Sequence, residues 1–153
     1  MSGDTRRYPP AARVELHGNE IQFRAVSYVE RGHTVTEMDY SSARPPLTHE
    51  ELGHHVTQAL HRSREGLAQL GSLEEMRKKW RKQAGFRSEN EYERGRKLVF
   101  VEQESANRYL LIPTRNTRKE NGFSHLEERI VEAFTAAALG AAVQQALHDS
   151  FAE

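Results

Sequence analysis

Apolar and polar residues alternate near the start of the chain. Val14 and Leu16, then Ile21, Phe23 and Ala25, recur at every second position on either side of His17-Gly18-Asn19-Glu20. A period of two marks a strand with one face on a core, and Gly18-Asn19 suits the positive φ of a tight hairpin turn. Two strands are therefore predicted, near residues 13–17 and 20–29. Gly32 marks another turn, and the β-branched run HTVTEMDY from His33 predicts a third strand. Ser41 to Pro46 reads as a breaker segment.

The period then changes to that of a helix. In THEELGHHVTQALHRSRE, Thr48 can accept from the backbone N–H three residues on while Glu51 reaches back, a capping box. Leu52, Val56, Ala59, Leu60 and Ser63 follow on one side. A second helix is predicted over residues 73–84, LEEMRKKWRKQA, with Leu73, Met76 and Trp80 on one face, basic residues around the rest and Gly85 as its stop. KLVFVEQ and RYLLIPT read as strands joined at Ser105-Ala106-Asn107. A polar loop with Asn116, Lys119, Asn121 and Gly122 leads to LEERIVEAF, whose ERIVEAF part is predicted as a strand. TAAALGAAVQQALHDSF closes the chain as a helix.

Two of these helices are alike. Aligned from Thr48 and Thr135 without a gap, nine of sixteen residues are identical: Thr48/Thr135, Leu52/Leu139, Gly53/Gly140, Val56/Val143, Gln58/Gln145, Ala59/Ala146, Leu60/Leu147, His61/His148 and Ser63/Ser150. Each follows strand-rich sequence, as expected of a duplicated unit. The fold class predicted is α+β: two pseudo-repeated units of antiparallel strands, each covered by a helix, with a linking basic helix. Residues 1–12 are expected to be a flexible leader and residues 13–153 one domain. Its copies are expected over about 13–66 and 96–153, with the linker helix over 73–84. Glycine inside a helix costs about 1 kcal/mol against alanine. Its retention at both Gly53 and Gly140 predicts another backbone in close approach there.

A chain of 153 residues can bury a core unaided, and without cysteine neither a disulfide framework nor a thiolate metal site is possible. No apolar run approaches the ~18 residues of a membrane span, and the N-terminal MSGDTRRYPPAAR lacks the apolar region of a signal peptide. A cytoplasmic location is expected. The 22 Lys and Arg balance 22 Asp and Glu, against the basic excess usual in nucleic-acid binders.

Candidate chemistry is sparse. His49 and His54 stand five apart, about 140° around a helix, and cannot chelate a metal together as His-Glu-x-x-His does. No phosphate-binding Gly loop or nucleophile elbow is present. The pairs Glu37/Asp39 and Glu102/Glu104, at i, i+2, would share a strand face, and Glu127/Glu128 are adjacent. Such pairs serve acid–base chemistry, but they are also ordinary solvent-facing decoration. RKKWRK could grip phosphates and stack a base through Trp80. The alignment of Trp80 with Leu73 and Met76 favours a core plug instead. No enzyme, cofactor or metal is expected.

The two LGxxVxxALxxS helices resemble those of immunity proteins from bacterial contact-dependent growth inhibition systems. The resemblance runs from Arg13 onward. Leu52, Gly53, Val56, Ala59, Leu60, Ser63, Arg64 and Trp80 carry it in the first half. Pro113, Thr114, Leu139, Gly140, Val143, Ala146, Leu147 and Ser150 carry it in the second. It implies a cytosolic binder of a cognate toxin C-terminal domain, often a nuclease, with no catalysis and no membrane partner. An acidic face would complement the phosphate-binding surface of a nuclease. The expected contacts are Tyr28, Glu30, Glu37, Asp39 and Tyr40 around the third strand, and Glu102 and Glu104 in the second hairpin. The alternative is a small nucleic-acid-associated regulator using the basic helix.

Overall fold

The computed structural model describes residues 6–30, 32–68, 72–88, 94–117 and 123–153. Strands β1 (Ala11–His17) and β2 (Glu20–Tyr28) form the first hairpin. Their two-residue turn places Gly18, with φ 60°, at its first position, the type II′ pattern that follows the natural strand twist. β3 (Thr34–Ala43) adds to β2, and helix α1 (His49–Arg62) follows. Helix α2 (Leu73–Ala84) links to β4 (Lys97–Ser105), which pairs with β5 (Arg108–Asn116). β6 (Ser124–His125), β7 (Arg129–Glu132), helix α3 (Ala136–Asp149) and β8 (Phe151–Ala152) complete the chain.

One curled antiparallel sheet carries the strands, joined at its centre by antiparallel pairing of β1 with β4. Outward from that pair stand β2 then β3 on one side, and β5 then β7 on the other. β6 and β8 pair with the far end of β5, β8 in parallel. With the three helices of the described residues the architecture is α+β.

Both long helices obey their sequence pattern. Thr48 and Glu51 form the capping box, and Thr135 caps α3 through the N–H of Ala138. Leu52, Val56, Ala59 and Leu60 of α1, and Leu139, Val143, Ala146 and Leu147 of α3, are buried with Val14, Phe23, Val99, Val101 and Leu111 of the sheet. α1 lies on β1 and β2, α3 on β4 and β5, and the helices pack on each other. Gly53 and Gly140 stand at their crossing. A Cβ on Gly53 would collide with the carbonyl oxygen of Ala136, and one on Gly140 with that of His49. Each glycine thus meets the first turn of the other helix.

The serines ending the two helices are used in parallel ways. Ser63 Oγ accepts from Ala11 N–H at 3.2 Å and donates to Val26 O at 2.6 Å, bridging the paired ends of β1 and β2. Ser150 Oγ accepts from Thr114 N–H at 3.2 Å and contacts Leu98 O at 3.3 Å, joining β5 to β4.

The structure differs from expectation in four places. Within the leader expected over residues 1–12, Ala11 and Ala12 already belong to β1, and Arg6 to Pro10 are tied down. Arg6 donates to Ser63 O at 2.7 Å, Glu65 accepts from the N–H groups of Arg7 and Tyr8, and Gln103 N–H donates to Pro10 O at 2.8 Å. Residues 1–5 lie outside the described residues. The breaker expected from Ser41 begins later, because Ser41, Ser42 and Ala43 pair with Phe23, Gln22 and Ile21. The strand expected in ERIVEAF is confined to β7, and Phe134 is fully outside it and exposed. The last helix stops at Asp149, and Phe151 enters β8. α2 spans the expected residues and ends at Gly85, whose φ of 90° is left-handed. The side chains of Leu73 and Trp80, on which its core-facing stripe rests, lie outside the described residues, as does the loop of Lys119, Asn121 and Gly122.

Candidate partner-binding face

With α1 and α3 on one face of the sheet, strand alternation sends the intervening side chains to the other. Cross-strand register sorts them into rows. One row runs Tyr40, Arg24, Arg13, Phe100, Ile112. The next runs Thr36, Val26, Ala11, Glu102, Leu110, Ile130. This open face has two zones of different character.

The first zone is a buried ionic cluster. Glu15 is fully buried, and Arg24 and Arg96 are nearly so. The Glu15 carboxylate lies 3.5 Å from Arg13 Nη2 and 3.9 Å from both Arg24 Nη1 and Arg96 Nη1. Arg24 also donates to the carbonyl of Glu37 through Nε at 3.1 Å and Nη2 at 2.8 Å. The guanidinium of Arg96 sits 5.5 Å from the Phe86 ring, and that of Arg13 lies 5.5 Å from Phe100 and 5.8 Å from Phe123. Such geometry locks strands together.

Beside it, β3 is irregular. Arg24 pairs with Tyr40 and Val26 with Thr36, so residues 37–39 oppose Ala25 alone. The bulge turns the Glu37 carboxylate toward Ser27 Oγ at 2.6 Å and Arg64, whose Nε and Nη2 donate at 3.0 and 2.6 Å. Burial alone would raise the Glu37 pKa, but the bonds from Arg64 and Ser27 outweigh it and hold the carboxyl below its ordinary range. Glu37 therefore ties β3 to the end of α1.

The second zone lies over β4, β5 and β7. Phe100, Leu110 and Ile112 are half-buried, and Ile130 is 48% exposed. The His125 ring stands 5.1 Å from that of Phe100. Glu102 faces this strip beside Leu110. Burial, then the charges of Glu104 and Glu128, push its carboxyl above the ordinary range, against an opposing pull from His125. A raised carboxyl pKa means that folding favours the protonated form, a contribution present at acid pH and lost as pH rises through the folded value. Glu102→Gln is therefore expected to be more stable than wild type at neutral pH, with the difference shrinking as pH falls. Thermal unfolding across pH 4–8 checks this, and an unchanged or lowered midpoint at neutral pH counts against it.

The seven residues expected to bind are not one cluster. Tyr28 is buried, stacked 4.8 Å from Tyr8, and its hydroxyl donates to Pro9 O at 2.8 Å; burial, with Glu102 nearby, raises its pKa to about 12. Glu37 is committed as described. Glu30 and Asp39 are exposed and Tyr40 is 45% exposed near the β3 edge. Glu104 is exposed and 3.1 Å from Arg108. The open face also carries Leu110, Ile112 and Ile130, none of them among the contacts expected from sequence; the unbroken run Leu110-Leu111-Ile112 signals the first two, since consecutive apolar residues in a strand make both faces apolar. The histidines do not converge: His54 meets Glu50 at 3.6 Å, and His55 stacks 4.7 Å from Phe23. Among the described residues, no three His, Cys, Asp or Glu side chains gather as a metal site, and no helix is long and apolar enough to cross a membrane.

The sequence model of CdiI, the CDI immunity protein, matches residues 11–150. The chain belongs to this family of CDI immunity proteins. The CdiI match spans both hairpins, both long helices and the open face between the sheet edges. Among solved structures, a protein of unknown function from Neisseria meningitidis is similar with TM-score 0.76 at 14% identity, covering 98% of this chain and 99% of that one. A chain of the CdiA-CT/CdiI toxin and immunity complex from Yersinia pseudotuberculosis is similar with TM-score 0.69 at 14% identity, over 92% and 96%. At such identity these two likenesses speak for the fold. Comparison with curated proteins returns no match.

Proposed function

We propose that this immunity protein acts in the cytosol by binding one cognate toxin C-terminal domain, a nuclease, and occluding its working surface without catalysis. The family match over residues 11–150 carries the reading. The sheet supports it by keeping one face free of α1 and α3 and setting carboxylates on it. Of the contacts expected from sequence, Glu30, Asp39, Tyr40, Glu102 and Glu104 remain accessible to a partner, whereas Tyr28 and Glu37 serve the fold.

A protein that protects by occupancy must act stoichiometrically and bind tightly. The expected result is a one-to-one complex with the C-terminal domain of the adjacent toxin gene's product, with nanomolar or tighter affinity and association that slows as salt rises. Co-purification and calorimetry test it. No complex, together with cells left sensitive to that toxin, defeats the reading. α2 supplies the competing one: Arg77, Lys79 and Lys82 are exposed, without ion pairs among the described residues. Binding of RNA at physiological salt that requires Arg77, Lys78 and Arg81 would put the nucleic-acid role in place of immunity.

We infer too that residues 13–66 and 96–153 are copies of one unit. The reciprocal contacts of Gly53 and Gly140, the matching use of Ser63 and Ser150, and the strand order about the β1–β4 pair support it.

A further inference from the structure

We propose that the strip formed by Leu110, Ile112 and Ile130, edged by Glu102, Glu104 and Glu128, is the seat of the toxin's cationic surface, taking arginine or lysine side chains laid along their aliphatic stems. The inference rests on the immunity reading and names the part of the open face that carries it.

Three observations converge on this strip. Leu110 and Ile112 alternate with Leu111, which is in the core, so their side chains leave the helix-covered face. Register places Glu102 beside Leu110 and Leu110 beside Ile130, making the surface continuous across β4, β5 and β7. Ile130 stays 48% exposed, and Leu110 and Ile112 on the neighbouring strand make it part of a contiguous apolar surface rather than a single scattered side chain.

The carboxylates decide what fits there. Glu104 and Glu128 both raise the cost of ionising half-buried Glu102, so the free protein holds a repulsion that an arriving positive charge relieves. Arg108 answers Glu104 alone, and that pair is solvent-exposed and weak. An apolar strip with an acidic border suits arginine and lysine, whose stems bury on apolar surface while their heads reach charge. A nuclease carries these residues where it grips phosphates. A nucleic acid would meet the carboxylates of Glu102, Glu104 and Glu128 along the border, and a second copy related by a two-fold axis through the strip would bring carboxylate against carboxylate.

The probe is the C-terminal domain of the toxin encoded beside this chain, made catalytically inactive, with affinity measured against the full-length protein. Ile130→Arg and Glu128→Lys are each expected to raise Kd about 30-fold or more, the range of an interface hot spot. Glu128→Lys should also slow association and flatten its salt dependence. Gln58→Arg, on the exposed side of α1, should bind as wild type does. Ile130→Ala and Glu128→Gln are milder variants to use if either first variant unfolds, and at least a fivefold loss is expected of their combination. Wild-type binding retained within threefold by folded strip variants overturns this assignment while leaving the immunity reading intact. Failure of the wild-type protein to bind defeats both.

Discussion

Gly53→Ala is expected to destabilise the protein by about 2–3 kcal/mol, despite the gain of about 1 kcal/mol that alanine brings to an ordinary helix interior. The added methyl would be driven into the carbonyl oxygen of Ala136, a backbone atom in the first turn of α3 that cannot swing aside as a long side chain would. The helices must part, and Leu52, Val56, Leu139 and Val143 lose contact around them. Gly140→Ala should cost a similar amount, because its methyl would strike the carbonyl of His49. The double variant separates this cause from a simple change in helix propensity. Both collisions are relieved by the same movement, so the second methyl should cost less than the first, and the combined loss should fall short of the sum. Urea unfolding of the four proteins, with m-values compared, measures this. A Gly53→Ala protein as stable as wild type would mean that the helices do not cross so closely. Strict additivity would mean that the two contacts relax separately.

That crossing is legible in the sequence alone, since close approach explains retaining a poor helix former at matching sites of two otherwise apolar faces. The helix caps and the alternation in the hairpins were legible for the same reason: each signal lies within a few residues of the structure it specifies. The unread features depend on distant partners. Nothing in Ser41-Ser42-Ala43 announces a strand until Ile21, Gln22 and Phe23 stand opposite. Tyr8 belongs to the fold because Tyr28 offers it a ring and Glu65 takes its N–H. Two-residue strands such as β6 and β8 are too short to show a period.

The candidate site shows the limit more sharply. Tyr28 and Glu37 looked like surface residues because a tyrosine and a carboxylate on a short strand usually are. The bulge that turns Glu37 to Arg64 is a property of the β2–β3 register, and so is the burial of Tyr28 beside residues far along the chain. Conversely, Ile130 reads as core in any apolar pattern, and only its pairing with Leu110 puts it on the open face. The polar positions that alternate with Val14, Leu16, Ile21, Phe23 and Ala25 look like a solvated face, yet they include Glu15 and Arg24, among the least exposed side chains in the protein.

Those buried charges give the second large effect. Glu15→Ala is expected to cost about 3–5 kcal/mol, the range for removing one partner of a buried ionic group. The carboxylate lies within 4 Å of guanidinium nitrogens from Arg13 of β1, Arg24 of β2 and Arg96, the residue before β4. Without it, three positive charges remain packed on one face of the sheet, two of them almost wholly out of water, with less negative charge to offset them. Glu15→Gln keeps the shape and polarity and removes only the charge, so it should fall between alanine and wild type. The helix crossing lies on the other face of the sheet, so Glu15→Ala and Gly53→Ala should add within about 0.5 kcal/mol. Chemical unfolding at neutral pH measures all of these. If Glu15→Ala costs under about 1 kcal/mol, the cluster is not holding the centre of the sheet, and Arg13, Arg24 and Arg96 must be carried by their other contacts. If it costs the full amount and Glu15→Gln restores most of it, hydrogen bonding rather than charge is what the guanidinium groups require from that position.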